Sequence, residues 1–360
     1  MRTIVTTMRD EAPFVLEWLA YHQEIGFTDF LIFSNDCSDG TDLMLDRLAA
    51  MGVVRHLPNA RRGVKTVQWQ ALTRAMNQRE VKRADWVMVS DVDEFLCIHA
   101  GAGRLDDLFA VAPDAQAFSV SWRMFGNAGV ARLSDAPVLR QFTRCAPERM
   151  LWPWRAVQYK TLFRMTENVA RLGVHRPRWA APLAEDTWLD GSGRVVRAHG
   201  GTVILHDAPR YDLAQLNHYA LGSVEDFVLK TLRGKPNHSH DPIDLSYWLD
   251  RNFNMAEDRR IMRLMDAVEA RMQVFLHDPE LAMLHRRALD WRRARIAELL
   301  TQSEPFYLFA RAMQAGSTQV LPLDQQMMLT HGLMRMRAAE AKRNAEAAQP
   351  AKPDKGTTDV

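Results

Sequence analysis

Cysteine is scarce in this chain: three among 360 residues, Cys37, Cys97 and Cys145, far apart and odd in number. That fits neither a disulfide framework nor a paired-cysteine zinc site, and points to a reducing, cytosolic compartment. An excess of charge of one sign is missing too. The formal net charge is +2, so no global field argues for nucleic acid or a membrane surface. There is no aromatic-rich basic repeat and no nucleic-acid-binding motif. No apolar run approaches the ~18 residues needed to span a bilayer, which leaves peripheral attachment open. The opening stretch "MRTIVTTMRDEAP" reaches Arg9, Asp10 and Glu11 before a secretion-signal core could form. A repeat of fixed period is also lacking.

What is present is the composition of a soluble globular protein, 47% hydrophobic and 25% charged, long enough for one large domain or two ordinary ones. The first part alternates. "TIVTTM" (3–8), "DFLIFS" (29–34), "VVRHL" (53–57) and "WVMVS" (86–90) are short apolar runs. Between them, "EAPFVLEWLAYHQEIG" (11–26), "DLMLDRLAAMG" (42–52) and "VKTVQWQALTRAMNQ" (64–78) have helical spacing. Strands and helices in strict alternation, joined by short links, predict a doubly wound α/β domain. The near-continuous apolar runs suit parallel strands covered on both faces. Ligands of such sheets bind beyond the carboxyl ends of the strands. "TTMRDE", "SNDCSDGT" and "SDVDE" are therefore expected on one rim.

Further strands are expected in 115–126, 157–165 and 213–221. A capped helix is expected over 223–234, with Ser223 at its N-cap. His22, on the apolar face of the first helix, reads as a packing residue. From about residue 244 the chain turns helical. The boundaries drawn are 1–240 for the α/β domain, 241–337 for a helical C-terminal subdomain and 338–360 for a polar tail expected to be disordered.

The chemistry is concentrated in "VMVSDVDEFL" (87–96), where Asp91, Asp93 and Glu94 lie between apolar runs. Such carboxylates are costly to bury without a partner. Asp-x-Asp at a strand end suits Mg²⁺ or Mn²⁺, which prefer oxygen and share their coordination with substrate phosphates. The plainer reading is a turn cap with solvated acids. A calcium loop of the EF-hand type fails, because its fifth and sixth positions would be Phe95 and Leu96. A haloacid dehalogenase-type phosphohydrolase is similar at "VSDVDEF", but Phe95 stands where that family wants Thr or Val.

Taken together, "RDEAPFVLEWLAYHQEIGF", "NDCSDGT", "DVDEF", "SWRMFGNAG", "GVHRP", "DGSG" and "NHYALGSVEDFVLKTLRG" resemble a bacterial branch of the glycosyltransferase family 2 group. The resemblance covers roughly residues 1–235. It implies a GT-A fold (Rossmann-like, mostly parallel sheet with helices on both faces) followed by a C-terminal helical segment. It also implies a cytoplasmic enzyme, free or peripheral to the inner membrane. Such an enzyme moves a sugar from a UDP- or GDP-sugar to a glycan hydroxyl, with inversion and Mn²⁺ or Mg²⁺. Thr6, Arg9, Glu11 and Asp36 would then line the nucleotide site, with Asn35 departing from the usual acid there. Asp93 would bind the metal, and Asp91 the metal or the ribose. His218 or His175 would complete the metal's coordination or act as base. Lys65, Lys160 and Arg233 are candidates for the diphosphate clamp. Glu185, Asp186 and Asp207 are candidates for the base that deprotonates the acceptor. Trp122, Phe125 and Gly126 could shape the sugar pocket or belong to the core. A metal-dependent phosphohydrolase with Asp91 as nucleophile, and a non-catalytic binding protein of the same fold, remain as alternatives.

Overall fold

The computed structural model describes residues 1–63, 66–184, 186–196, 210–233 and 243–347. The main strands are β1 (Arg2–Met8), β2 (Asp29–Ser34), β3 (Arg55–Pro58), β4 (Trp86–Val89), β5 (Glu94–Ile98), β6 (Ala117–Met124), β7 (Tyr159–Arg164), β8 (Trp188–Asp190) and β9 (Ala214–His218). They form one sheet in the order β3-β2-β1-β4-β7-β6-β9-β5, with β8 also paired to β6. The first four strands are parallel, as their unbroken apolar runs predict. β7 then enters antiparallel between β4 and β6, and β5 closes the far end antiparallel to β9. All three later strands foreseen in the middle of the chain are present. β5 was not foreseen, because its sequence begins inside the acidic cluster.

The first helices are α1 (Ala12–Glu24), α2 (Thr41–Ala50) and α3 (Val67–Ala75). Side chains alternate along β1 and β2. Ile4, Met8 and Ile32 join a core with α1 and α2, while Val5, Leu31 and Phe33 face α3 on the other side. Sheet residues thus separate two apolar layers.

α1 is buried around its whole circumference from Val15 to His22. A helix apolar on one face only would leave the other in water. Here the C-terminal helices Met265–Leu276 and Pro279–Leu299 cover it, placing Val268, Phe275, Leu281 and Ala288 in the same core as Trp18 and Leu19. Arg47 of α2 fastens the second of these helices through Asp278. His22 is fully buried, as expected, and its Nδ1–H donates to the Trp18 carbonyl, 2.8 Å away. The last helix, Leu323–Ala347, runs into the stretch whose composition suggested disorder. Its described side chains from Arg335 to Asn344 are all exposed, and residues 348–360 lie outside the described residues. Among the described residues, no helix is long and apolar enough to cross a membrane.

Candidate active site

The carboxyl ends of β1, β2 and β4 share one rim, as the parallel register requires. Two loops there are stitched together by one side chain. The Asp39 carboxylate accepts the Ala12 N–H of α1 (2.8 Å) and the Thr41 N–H of α2 (2.9 Å). Thr41 Oγ1 in turn accepts the Glu11 N–H at 2.8 Å. Asp10 adds a second tie by accepting the Ser38 N–H at 2.6 Å. Helix α1 has no cap from its own loop; its cap arrives from the β2 loop.

The acidic cluster is the link between β4 and β5. Because β5 pairs at the opposite end of the sheet order, this link passes over the ends of β7 and β9, and successive acids meet different strands. Asp91 accepts from Lys160 Nζ of β7 at 2.9 Å. Glu94 lies 3.4 Å from the same ammonium, with neither Glu94 nor Lys160 exposed to solvent. Glu94 also accepts the Asp91 N–H at 2.9 Å and the Ser90 hydroxyl at 3.1 Å. Burial raises the Glu94 carboxyl above its usual range, against the pull of Lys160. Burial works to lower Lys160, but Asp91 and Glu94 overcome it and hold the ammonium above its ordinary value.

Asp93 is held separately. Its Oδ2 accepts from Lys230 Nζ at 2.7 Å, and its Oδ1 lies 3.7 Å from His218 Nε2 of β9. Burial would raise the Asp93 carboxyl; Lys230 and His218 outweigh it and hold the carboxyl well below the usual range. Lys230 lies on the helix Val224–Arg233, which Ser223 caps as expected by accepting the Asp226 N–H at 3.1 Å. Tyr247 and Arg251 close this side. The Lys230 ammonium lies 5.7 Å, and the Arg251 guanidinium carbon 3.5 Å, from the Tyr247 ring centre.

The two histidines flank one indole. Trp122 lies 4.4 Å from His218 and 5.7 Å from His175, ring centre to ring centre. Burial lowers His218, opposed by Asp93. His175 is pushed down to about 4 by burial and by Lys160, and its Nδ1 sits 2.9 Å from the Tyr159 carbonyl. His218 Nδ1, Trp122 Nε1 and Thr6 Oγ1 are buried with no partner among the described residues.

A cavity of about 320 Å³ opens beside Asp93. Arg9, Glu11 and Lys230 line it, and the C-terminal helices supply Trp291, Arg292 and Arg295 from the far wall. Glu17 lines it too. Its carboxylate accepts the Val138 and Leu139 N–H groups at 2.7 and 2.9 Å, and burial pushes it up to about 7.

Of the residues expected from the sequence, the structure brings Arg9, Glu11 and Asp93 to this cavity and sets Asp91 beside Lys160. Asp36 is exposed outside its lining, in the left-handed region at φ 47°. His175 and Asp186 line a second cleft instead. Lys65, Glu185 and Asp207 lie outside the described residues, as does the side chain of Arg233. Phe125 belongs to the core. Gly126 leaves no room for a side chain, since a Cβ there would stand 2.5 Å from Asn254 Oδ1. Sequence reasoning missed Lys230, Tyr247, Arg251 and Glu17. Lys230 carried a signal: it lies on the helix face presented by the "NHYALGSVEDFVLKTLRG" motif. The partners of the acidic cluster are lysines, one for each aspartate. Among the described residues, no group of three or more His, Cys, Asp or Glu side chains is placed to hold a metal ion.

Residues 5–197 match the family model of glycosyltransferase family 92. The chain belongs to glycosyltransferase family 92. The motif resemblance had named the family 2 group; the family matched is family 92, and the glycosyltransferase assignment is common to both. A family 92 protein of rice (Oryza sativa subsp. japonica) is 28% identical over 152 residues, 41% of this chain and 25% of its own length. Another, from Ricinus communis, is 30% identical over 105 residues, 29% of this chain and 18% of its own. The chain thus spans a quarter or less of these curated relatives. Among solved structures, S. aureus TarS 1-349 is 12% identical with a TM-score of 0.30, covering 84% of this chain and 93% of that one. Glucosyl-3-phosphoglycerate synthase from Mycobacterium tuberculosis, solved with Mn²⁺, UDP and glucosyl-3-phosphoglycerate, is 16% identical with a TM-score of 0.22, covering 34% and 44%. Likenesses that slight do not bear on this chain's chemistry. The sheet with helices on both faces and the helical C-terminal segment are the α/β architecture read from the sequence.

Proposed function

We propose that this enzyme transfers a sugar from a nucleoside-diphosphate sugar of the UDP or GDP class to a hydroxyl of a glycan, with inversion. The observation that carries the reading is Asp93, held at the sheet rim between Lys230 and His218 and opening on a cavity lined by Arg9 and Glu11. Ligands of open α/β sheets sit at such rims. Lys230, fixed 2.7 Å from Asp93, and Arg9 supply positive charge for a diphosphate.

A divalent cation of the Mn²⁺ or Mg²⁺ class fits this donor set in part. Asp93 Oδ1 and His218 Nε2, 3.7 Å apart, offer two ligands, and small hard cations take the rest from phosphate and water. When bound, the cation stabilises the charge that develops on the departing diphosphate. Asp91 belongs to the second rank here, because it lies outside the lining of that cavity. Trp122, buried against both histidines, keeps water from them. Of the candidate bases, Asp186 is the one among the described residues. It stands exposed at the second cleft, where an acceptor would approach.

The test is calorimetric titration of UDP and GDP with and without Mn²⁺, together with donor-sugar hydrolysis, in wild type and Asp93→Asn. Metal-dependent nucleotide binding lost in the variant is expected. Binding that ignores both the metal and the substitution would remove Asp93 from the site, and no turnover across a donor panel would favour the non-catalytic alternative.

A further inference from the structure

The second cleft, about 1180 Å³ in volume, lies on the α3 side of the sheet and ends at His175. Its walls combine two residue types: Trp69, Trp179 and Trp188 with Arg171, Arg176 and Arg178. Trp69 is 38% exposed although it is among the largest apolar side chains. The Arg171 guanidinium lies 5.5 Å from the Trp69 ring centre, and that of Arg176 lies 5.9 Å from the Trp188 ring centre. Trp179 Nε1 is buried with no hydrogen-bond partner among the described residues.

The charge pattern is unbalanced. None of the three arginines forms an ion pair among the described residues, and Asp186 is the one acid lining the cleft there. Two of the arginines are set against each other: Arg171 and Arg178 are register partners across the antiparallel hairpin of Val169–Arg171 and Arg178–Trp179. Like charges directly opposite destabilise a ladder. An anion between them would reverse that sign. The loop joining the two strands is fixed by Gly173, where a Cβ would stand 2.3 Å from the Arg176 carbonyl. Arg176 is therefore presented by a backbone turn that only glycine permits.

We propose that this cleft is the acceptor site and that the acceptor is an anionic oligosaccharide. Sugar rings lie on the flat, apolar indoles, and carboxylate, sulfate or phosphate groups on the ring meet the guanidinium forks of Arg171, Arg176 and Arg178. The inference rests on the glycosyltransferase reading above. It places the donor at Asp93 and the acceptor reaching past His175, with the Trp122 indole packed against both His218 and His175.

The full chain is titrated calorimetrically with a hyaluronan tetrasaccharide, with chitotetraose as the neutral probe of equal length, and with UDP and GDP. Wild type is compared with Trp69→Ala and with the double variant Arg171→Gln/Arg176→Gln. Hyaluronan is expected to bind about tenfold or more tightly than chitotetraose. Trp69→Ala weakens both by about tenfold; the double variant, left with Arg178 alone, loses most of the preference and most of the salt dependence of hyaluronan binding. Nucleotide binding stays as in wild type, which also shows that the variants are folded. Equal affinity for the two oligosaccharides, no binding of either, or hyaluronan binding unchanged in both variants overturns the proposal. So does loss of nucleotide binding in the variants, which would make the cleft the donor site. Hyaluronan binding in a protein that binds no nucleotide supports the cleft and removes the donor reading instead.

Discussion

Lys160 and Glu94 face each other at 3.4 Å with no solvent reaching either side chain, and Asp91 shares the same ammonium at 2.9 Å. One cation thus fixes the start of the acidic turn and the first residue of β5. Removing it leaves Glu94 buried and uncompensated. Lys160→Met is expected to lower stability by about 3–5 kcal/mol, measured by urea denaturation. Adding Glu94→Gln should restore part of that loss, because the orphaned charge is then gone. A double variant no more stable than the single one would show that Lys160 acts by packing rather than by charge.

Asp93 differs from Asp91 in what surrounds it. Asparagine keeps its shape and its contact with the Tyr219 N–H, which the Asp93 backbone carbonyl accepts at 2.8 Å. Asp93→Asn is therefore expected to fold normally by circular dichroism and to lose about 10²-fold or more in sugar transfer, the scale on which removal of one charge-stabilising group is felt. Asp91→Asn, whose carboxylate lies outside the lining of the cavity, should cost less.

Glu17 gives a pH signature. Burial pushes its carboxyl up from an ordinary 4.5 to about 7, so the folded chain holds a proton that the unfolded chain releases earlier. Its contribution is complete below about pH 4.5 and is lost as pH rises through about 7. Denaturation curves between pH 4 and 8 should show this decline in wild type, amounting to about 3 kcal/mol. Glu94, also raised by burial, contributes with the same sign. Glu17→Gln should flatten the Glu17 part. A variant with the same slope as wild type would assign the decline to Glu94 alone.

The C-terminal helices share a core with the sheet. Leu281, fully buried in the cluster that contains Trp18 and Leu19, is the natural probe. Leu281→Ala is expected to cost about 2–5 kcal/mol. Because α1 is buried from both sides, sheet and helices should still unfold in one transition. Two separate thermal transitions in wild type would contradict this.

The alternation of four apolar runs with three helices was enough to place β1 to β4 and α1 to α3, because parallel strands buried on both faces leave an unbroken signature. The Asp93 and His218 positions were also readable, from motif order. What stayed hidden depended on contacts between distant segments. Nothing in "VQYKTLFRM" marks Lys160 as wholly buried; only the insertion of β7 beside β4 makes it so. The helical period of α1 suggested one buried face, and its second face became buried only when residues beyond 264 folded over it. Lys230 meets Asp93 across 137 positions of sequence, a distance at which spacing carries no information, and Tyr247 reaches the site only by lying against Lys230.

Asp39 holds the first turns of α1 and α2 with the two oxygens of a single carboxylate. The loops after β1 and β2 are therefore one mechanical piece, hinged nowhere between them. A change of donor preference made by exchanging either loop alone would import a lip without its latch. Loop transplants between members of this family should travel in pairs, with the aspartate that joins them.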